Sequence, residues 1–143
     1  MALTAVQNAG VEETIGRYCA AYRRKDLRAL LALFSPDISG YGAGADEIFR
    51  NRKEYAPLVQ RDLDQASSIS LEFPHLNIAG NGQTAWVTGD CICTFVAGGD
   101  KKQVMKVRMT IVMKNTGSRW LFAQVHMSVP NTGQAPGQAF SGE

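Results

Sequence analysis

The stretch KQVMKVRMTIVMK, residues 102–114, alternates apolar and polar side chains along most of its length. Every second residue from Met105 to Met113 is apolar, and Lys106 and Arg108 are among the residues between them. Because successive side chains of a strand point to opposite faces of a sheet, this spacing predicts a long strand with one apolar face. The sequence therefore indicates a sheet whose core lies against one of its two sides.

Three further segments share this period of two, at about residues 69–79, 83–97 and 119–129. Pro74 lies within the first of them and predicts a bulge or an edge position, because proline has no N–H to donate to a neighbouring strand. The four strands are expected to form an antiparallel meander. Tight turns that contain glycine join them: Asn81-Gly82, Gly98-Gly99-Asp100 and Asn115-Thr116-Gly117.

The first third of the chain is predicted to be helical. Asp26 is expected to cap a short second helix, which ends at Ser35-Pro36-Asp37 because proline disfavours a helical conformation in the residue before it. Residues 37–43 are predicted to form a short strand. The first helix is indicated by an apolar stripe at helical spacing: Val11, Ile15, Tyr18, Cys19 and Tyr22.

A third helix is expected after Asn51, since Asn51 and Glu54 have the spacing of a capping box. Its inward stripe includes Tyr55, Leu58 and Asp62, and Pro57 predicts a kink or a later start. The order of elements predicts an α+β fold, in which three N-terminal helices pack on a strongly curved antiparallel sheet. We expect one domain over residues 1–130 and a flexible tail over residues 131–143.

The composition excludes several classes of protein. A net charge of +2 over 143 residues argues against a strongly electrostatic nucleic-acid binder, because phosphate binding needs a concentrated basic face. No apolar run approaches the ~20 residues that span a bilayer, and the N-terminus does not resemble a signal peptide, so a cytoplasmic protein with no membrane partner is expected. No metal or cofactor motif is visible, and we expect neither. The three cysteines are expected to be reduced core thiols: Cys19, Cys91 and Cys93.

The side-chain pattern of the last predicted strand indicates an oligomer. Strict alternation places Leu121, Ala123, Val125 and Met127 on the core face. The opposite face would then carry aromatic side chains among polar ones, and such a face is expected to be covered by a second subunit. We therefore expect a homodimer built back to back on the sheet. The residues assigned to that face are Trp120, Phe122, Gln124, His126 and Ser128.

The order of elements and several short matches resemble the nuclear transport factor 2-like superfamily, also called SnoaL-like or ketosteroid-isomerase-like. Arg17-Tyr18, followed by Asp26, resembles the first helix of the bacterial ketosteroid isomerases. Other matches resemble the association domain of the calcium/calmodulin-dependent protein kinases: Pro74-His75-Leu76 through Gly80, the strand from Thr84, the Gly98-Gly99 turn and Trp120 with His126-x-Ser128.

This resemblance implies a cone-shaped fold with a cavity between the helices and the concave sheet face. It also carries two departures. Gly42 and Thr110 stand where the isomerases have their two carboxyl groups, so steroid isomerisation by that mechanism is not expected. The association domain has a basic pocket, whereas this chain has Asp90 at a matching position, so an anionic ligand is disfavoured. By matching position, the cavity should be bordered by Tyr18, Tyr55, Asp90, Ile111 and Met127.

Four residues are candidates for chemistry: Tyr18, Asp62, Asp90 and His126. Tyr18 either donates a hydrogen bond to a ligand or is a structural aromatic residue. Asp90 either turns inward at a bulge near Gly89 and acts as an acid or base, or faces outward and pairs with Lys106 or Arg108. Asp62 is a candidate for the mouth of the pocket. His126 is either an acid–base group or a hydrogen-bonded residue on the convex face.

Three hypotheses of function remain. In the first, the chain is a homodimer that binds a small, mostly apolar molecule. In the second, it is a cofactor-independent lyase, isomerase, cyclase or hydrolase, which uses Asp90 or Asp62 as base and Tyr18 as hydrogen-bond donor. In the third, it is an assembly module whose cavity is filled by its own side chains. Fold alone does not decide among them. The expected ligand-binding residues are Tyr22, Phe34, Tyr41, Phe49, Tyr55, Leu58, Met109, Ile111 and Met127.

Overall fold

Three helices and seven strands form the part of the chain that the computed structural model describes, residues 2–140. The helices are α1 (Ala5–Arg23), α2 (Leu27–Leu31) and α3 (Arg52–Gln65). The strands are β1 (Phe34–Tyr41), β2 (Ile48–Phe49), β3 (Ser68–Glu72), β4 (Leu76–Gly80), β5 (Thr84–Val96), β6 (Gln103–Asn115) and β7 (Trp120–Ser128).

Side-chain caps fix where the helices begin. The predicted caps of α2 and α3 are confirmed: Asp26 accepts a hydrogen bond from the Ala29 amide at 3.0 Å, and Asn51 accepts one from the Glu54 amide at 2.8 Å. Each satisfies a backbone N–H that has no partner within the helix. Pro57 lies inside α3 and does not delay its start.

The strands form one curved sheet in the order β2-β1-β7-β6-β5-β3, with β4 also paired to β5. The α+β class and the three-helix arrangement are confirmed. The sheet is mixed rather than purely antiparallel, because β1 pairs in parallel with β7. Tertiary pairing of this kind leaves no local signal, since β1 and β7 are far apart in the sequence.

Two strand boundaries differ from the prediction. Residues 69–79 are two strands, β3 and β4, which lie on either side of Pro74 and pair with opposite ends of β5. β1 begins at Phe34, so Pro36 lies in a strand and does not simply end α2. The pairing of β1 with β7 is irregular between Phe34 and Ser39, where a residue without an N–H is tolerated.

A bulge in β7 overturns the predicted division of its side chains between the two faces. Val112 lies opposite Gln124, but the next residue, Met113, lies opposite Phe122, so Ala123 is an extra residue. The bulge turns Phe122 to the same inner face as Val125, and Trp120 is likewise buried. The expectation that Trp120 and Phe122 lie on the outer face is therefore wrong.

The inner face of the sheet and the three helices enclose the core. An aromatic cluster lies at its centre: the Tyr18 and Phe122 ring centroids are 5.0 Å apart, and Phe34 is 5.1 Å from Tyr55. Phe49 stacks on Tyr55 at 3.7 Å. The cluster joins α1, α3 and three strands, and its tyrosines extend from the core toward the site described below.

No helix or strand is found in residues 129–140. The predicted flexible tail begins in this segment, and its last residues, 141–143, lie outside the described part of the chain. Within residues 2–140, none of the helices combines the length and apolar character needed to cross a membrane.

Candidate functional site

A cavity of about 470 Å³ lies between the helices and the concave face of the sheet. This volume is within the range of small-molecule sites. The assembly hypothesis expects a cavity that the protein's own side chains fill, and this expectation is wrong, because a space of this size remains open. Its apolar walls come from α3, β3, β5, β6, β7 and the adjoining loops. They include Leu58, Ile69, Leu71, Phe95, Met105, Val107, Met109, Met127 and Val129.

Asp62 and Tyr22 form a polar contact at this cavity. Both residues line it, and the Tyr22 hydroxyl donates to Asp62 Oδ2 at 3.4 Å. Burial, and to a smaller extent the nearby Glu47 carboxylate, raise the pKa of Asp62 to about 6, against the lowering effect of Arg61 and of the Tyr22 hydroxyl. Asp62 therefore changes its charge near neutral pH, as an acid–base residue must.

Tyr18 and Tyr22 lie one turn apart on α1, so both point toward the cavity. Burial raises the pKa of each hydroxyl well above its ordinary value. The neighbouring Tyr22 hydroxyl adds to the increase in the pKa of Tyr18, whereas the interaction with Tyr18 lowers the pKa of Tyr22 and only partly offsets the effect of burial. Tyr55 of α3 also lines the cavity, and burial raises its pKa. The three hydroxyls therefore stay protonated at neutral pH and can donate hydrogen bonds.

The loop between β1 and β2 closes one side of the mouth. Arg61 on α3 holds it through Asp46, at 2.7 Å, and through Glu47, at 3.1 Å. Glu47 also accepts a hydrogen bond from the Gly44 amide, at 2.6 Å. Glu47 was not predicted as a site residue, because it lies in a loop that has no periodic pattern to place it.

Charged groups at the cavity are of one sign. Glu47 and Asp62 are among its lining residues, whereas no lysine, arginine or histidine is, as far as the described residues go. Arg61 stands outside the lining and pairs with Asp46 and Glu47. The negative charge at the cavity therefore comes from Glu47 and Asp62 and not from Asp90, the residue on which the expectation of a disfavoured anionic ligand rested.

Two cysteines contribute to the wall from β5. Cys91 and Cys93 share the inner face and line the cavity, and both are free thiols, as is Cys19. Burial raises the pKa of Cys91 to about 12 and also raises that of Cys93. These thiols are protonated at neutral pH, so they act as small apolar groups rather than nucleophiles.

Asp90 lies outside the cavity. Its carboxylate is half exposed and lies 3.3 Å from Lys106 Nζ. The β5–β6 ladder runs without a break from Thr84 to Phe95, so no bulge near Gly89 turns Asp90 inward. The predicted inward orientation of Asp90 is therefore wrong. The alternative is what the structure shows: Asp90 faces outward and pairs with Lys106.

His126 and Tyr41 also lie away from the cavity. They are exposed neighbours on β7 and β1, with ring centroids 5.4 Å apart. His126 lies opposite Thr110, which is exposed on the outer face of β6. The structure therefore gives neither His126 nor Tyr41 access to a ligand in the cavity.

The other predicted ligand-binding residues divide by depth. Phe34, Phe49 and Ile111 are almost fully buried and lie behind the cavity lining, in the core that supports it. Gly42 does line the cavity. The predicted residues that the structure brings together around the cavity are Tyr18, Tyr22, Tyr55, Leu58, Asp62, Met109 and Met127.

Metal-binding geometry is not found in the described chain: within residues 2–140, no three His, Cys, Asp or Glu side chains converge in a way that could hold an ion. The polar side chains that line the cavity are two carboxylates, three phenols and one amide, Gln65.

Comparison with known families identifies one match. The family model described as a SnoaL-like domain matches residues 11–132, which include most of α1, the other two helices, the sheet and the whole cavity lining. A comparison with curated protein sequences finds no significant match.

Solved structures share the fold at low sequence identity. An NTF2-like superfamily protein from Salmonella enterica serovar Typhimurium is 21% identical with a TM-score of 0.78, covering 95% of this chain and 100% of its own. A "putative dehydratase" of the NTF2-like family from Streptomyces avermitilis is 16% identical with a TM-score of 0.82, covering 90% and 100%. A "putative calcium/calmodulin dependent protein kinase II association domain" from Xanthomonas campestris is 17% identical with a TM-score of 0.77, covering 85% and 86%.

Proposed function

Because this chain belongs to the SnoaL-like domain family, we propose that it binds a small, mostly apolar organic molecule between its helices and its sheet. The observation that carries this proposal is the cavity of about 470 Å³, which has apolar walls and a few polar groups gathered at Asp62. Ligand sites in proteins commonly combine these two features, since the walls give affinity and the polar groups give orientation.

Native mass spectrometry of the freshly purified protein tests this proposal, followed by denaturing extraction of any bound molecule. We expect a reproducible small molecule, or a protein that takes up an apolar fluorescent probe. Val107→Trp, which adds bulk to the cavity wall, should abolish uptake. Thr94→Trp adds the same side chain on the outer face of the sheet and should leave uptake unchanged. A stably folded wild type that takes up no probe would contradict the proposal.

A second candidate function is cofactor-independent proton transfer, of the kind a lyase, isomerase, cyclase or hydrolase performs. The pKa of Asp62, raised to about 6, and the Tyr22 hydroxyl 3.4 Å away favour it. Asp62 would take a proton from a carbon beside a carbonyl group, and the hydroxyls of Tyr22 and Tyr18 would stabilise the negative charge that develops on the oxygen. The structural neighbour named a "putative dehydratase" is consistent with such chemistry.

Hydrogen exchange into the bound molecule separates this candidate from passive binding. In heavy water, an enzyme should incorporate deuterium at the carbon beside the carbonyl group of the extracted ligand. Asp62→Asn should stop the exchange while the ligand still binds. Asp90→Asn should not change the rate, because Asp90 lies on the outer face. Exchange that continues unchanged in Asp62→Asn would contradict this assignment of the base.

We also propose a homodimer through the outer face of the sheet. The bulge removes Trp120 and Phe122 from this surface, so the support now comes from other residues. Trp86 is 52% exposed and Val104 is 69% exposed, and both lie on the outer face. Large apolar side chains on a sheet face that carries no helix favour coverage by a second copy.

A further inference from the structure

We propose that the ligand of this cavity carries a protonated amine, whose N–H groups donate to the Asp62 carboxylate while an apolar body fills the rest of the space. The inference rests on the proposed function, since it concerns the ligand of the same cavity. It goes beyond that proposal by assigning a charge and a chemical group to the molecule.

The first argument is that Asp62 lacks a strong partner. Within residues 2–140, its side chain has one hydrogen bond, from Tyr22 at 3.4 Å, which is long for an O–H donor to a carboxylate. No Lys, Arg or His nitrogen in that range lies within ion-pair distance of Asp62. A half-buried carboxylate is stabilised by donors, so a ligand that donates to Asp62 would gain a strong hydrogen bond that the described residues do not already supply.

The second argument is that the nearest cation is already paired. Arg61 precedes Asp62 on α3, but its guanidinium reaches Asp46 at 2.7 Å and Glu47 at 3.1 Å. The Asp46 and Glu47 carboxylates therefore largely neutralise the positive charge of Arg61, which forms no ion pair with Asp62. Glu47 adds a second carboxylate to the lining, so the field inside the cavity favours a cation.

The third argument concerns the walls. Tyr18, Tyr22 and Tyr55 line the cavity, and aromatic faces attract cations through their quadrupoles. Apart from Gln65 and the two carboxylates, the other side chains of the wall are aliphatic, aromatic or sulfur-containing. A compact cation with an apolar body satisfies both parts of the site, whereas an alcohol donates to Asp62 without bringing a positive charge and therefore forms a weaker hydrogen bond.

Three probes of matched shape test the inference: naphthylmethylamine, naphthalenemethanol and naphthoic acid, each substituted at the same ring position. Their binding is followed by naphthalene fluorescence at neutral pH, after any co-purified ligand has been removed. We expect the amine to bind about tenfold more tightly than the alcohol, because a charged donor forms a stronger hydrogen bond to a carboxylate than a neutral hydroxyl does, and the acid to bind most weakly, because Asp62 and Glu47 repel it.

Asp62→Asn supplies the matched variant. It should reduce amine affinity about tenfold and leave alcohol affinity within about twofold, so that the preference disappears. The control is Asp64→Asn, which removes the same charge from the same helix at an exposed position, where Gln60 holds the carboxylate at 2.7 Å. Asp64→Asn should keep the full preference for the amine.

The outcomes separate this inference from the function on which it rests. Equal binding of the three probes, or a preference for the acid, would overturn the amine assignment and leave the apolar ligand site standing. A preference for the amine that survives Asp62→Asn would overturn the role of Asp62. Binding of none of the probes at millimolar concentration would overturn the proposed function itself.

Discussion

The hydroxyl of Tyr22 lies 3.4 Å from Oδ2 of Asp62, although the two residues are 40 positions apart in the sequence. Tyr22 is in the last turn of α1 and Asp62 is near the end of α3, so the contact joins two helices at the cavity. It places a proton donor beside a carboxylate whose pKa is raised to about 6. The pair combines hydrogen bonding with a charge that changes close to neutral pH.

The first prediction is that Asp62→Asn stabilises the protein at pH 7. The folded-state pKa of Asp62, about 6, lies above its unfolded value, so the folded protein holds a proton that the unfolded chain releases. Between about pH 4 and pH 6 this group makes folding less favourable as the pH rises. Asparagine removes that penalty, so we expect a gain of roughly 1–3 kcal/mol in the free energy of unfolding at pH 7.

Urea unfolding at pH 7 and at pH 4 measures this effect as the difference between variant and wild type. The difference is needed because the lowered pKa values of Asp37, Asp46 and Glu54 affect stability in the opposite direction. The gain should fall to a small fraction of its pH 7 value at pH 4, where Asp62 is protonated in the folded protein and about half protonated in the unfolded chain. Asp64→Asn is the control and should show no such trend. An Asp62→Asn variant that is less stable at pH 7 would indicate a structural carboxylate.

The second prediction concerns the two groups that adjust the charge of Asp62. Glu47 raises its pKa and Arg61 lowers it. We therefore expect Glu47→Gln to lower the Asp62 pKa and Arg61→Gln to raise it, each relative to wild type. Carbon-13 NMR of the labelled aspartate carboxyl groups measures both values directly.

The control for this pair is Arg17→Gln, which removes an exposed arginine that pairs with Glu13 on the surface of α1. It should leave the Asp62 pKa unchanged. If Glu47→Gln and Arg61→Gln moved that pKa in the same direction, the loop that carries Glu47 would not lie against α3 as the structure has it.

The sequence predicted what depends on local periodicity and missed what depends on pairing. Spacing alone predicted two helix caps, Asp26 and Asn51. It also predicted that Met109 of β6 and Met127 of β7 face inward. The bulge at Ala123 cannot be predicted from spacing, because nothing in the composition of β7 marks its position. The extra residue nevertheless reverses the faces of the residues before it. An alternation rule therefore placed Phe122 on the wrong side of the sheet.

The site was predictable to a similar extent. Tyr18, Tyr22, Tyr55 and Asp62 lie on helices, where a period of 3.6 residues assigns the inner face. Glu47 lies in a loop, and no periodic rule assigns a face to it. Asp90 was open to two interpretations because its orientation depended on whether a bulge interrupts β5, which only the ladder with β6 could decide.

The third prediction tests the bulge. Phe122 is completely buried against Tyr18, so Phe122→Ala should destabilise the protein by about 3–5 kcal/mol. Gln124, two residues later, is exposed, and Gln124→Ala should change the free energy of unfolding by less than about 0.5 kcal/mol. Chemical denaturation measures both. A cost below about 1 kcal/mol for Phe122→Ala would mean that the side chain faces outward, as simple alternation has it.

The fourth prediction compares two glycines of α1. A Cβ at Gly10 would lie 2.9 Å from Cδ1 of the buried Trp120, whereas a Cβ at Gly16 would meet nothing within 4 Å. Alanine favours a helix by about 1 kcal/mol over glycine, so Gly16→Ala should stabilise the protein by roughly that amount. Gly10→Ala should lose this gain and destabilise the protein, since displacing a packed ring costs about 1–3 kcal/mol.

Thermal unfolding of the two glycine variants measures the contrast, and the opposite signs are the result that matters. Each serves as the control for the other, because both changes add one methyl group inside the same helix. Equal stabilisation by Gly10→Ala and Gly16→Ala would show that Trp120 does not pack against α1.

The last prediction concerns the proposed dimer. Light scattering at micromolar concentration should give about twice the chain mass of 15.5 kDa for the wild type. Trp86→Glu replaces the half-exposed tryptophan of the outer face with a carboxylate. A second copy that covered this face would have to bury that unpaired charge, which is costly, so the variant should be monomeric. Val6→Glu changes an apolar residue that is 82% exposed on α1, away from that face, and should remain dimeric. A monomeric wild type, or a Trp86→Glu variant that remains dimeric, would contradict assembly through this face.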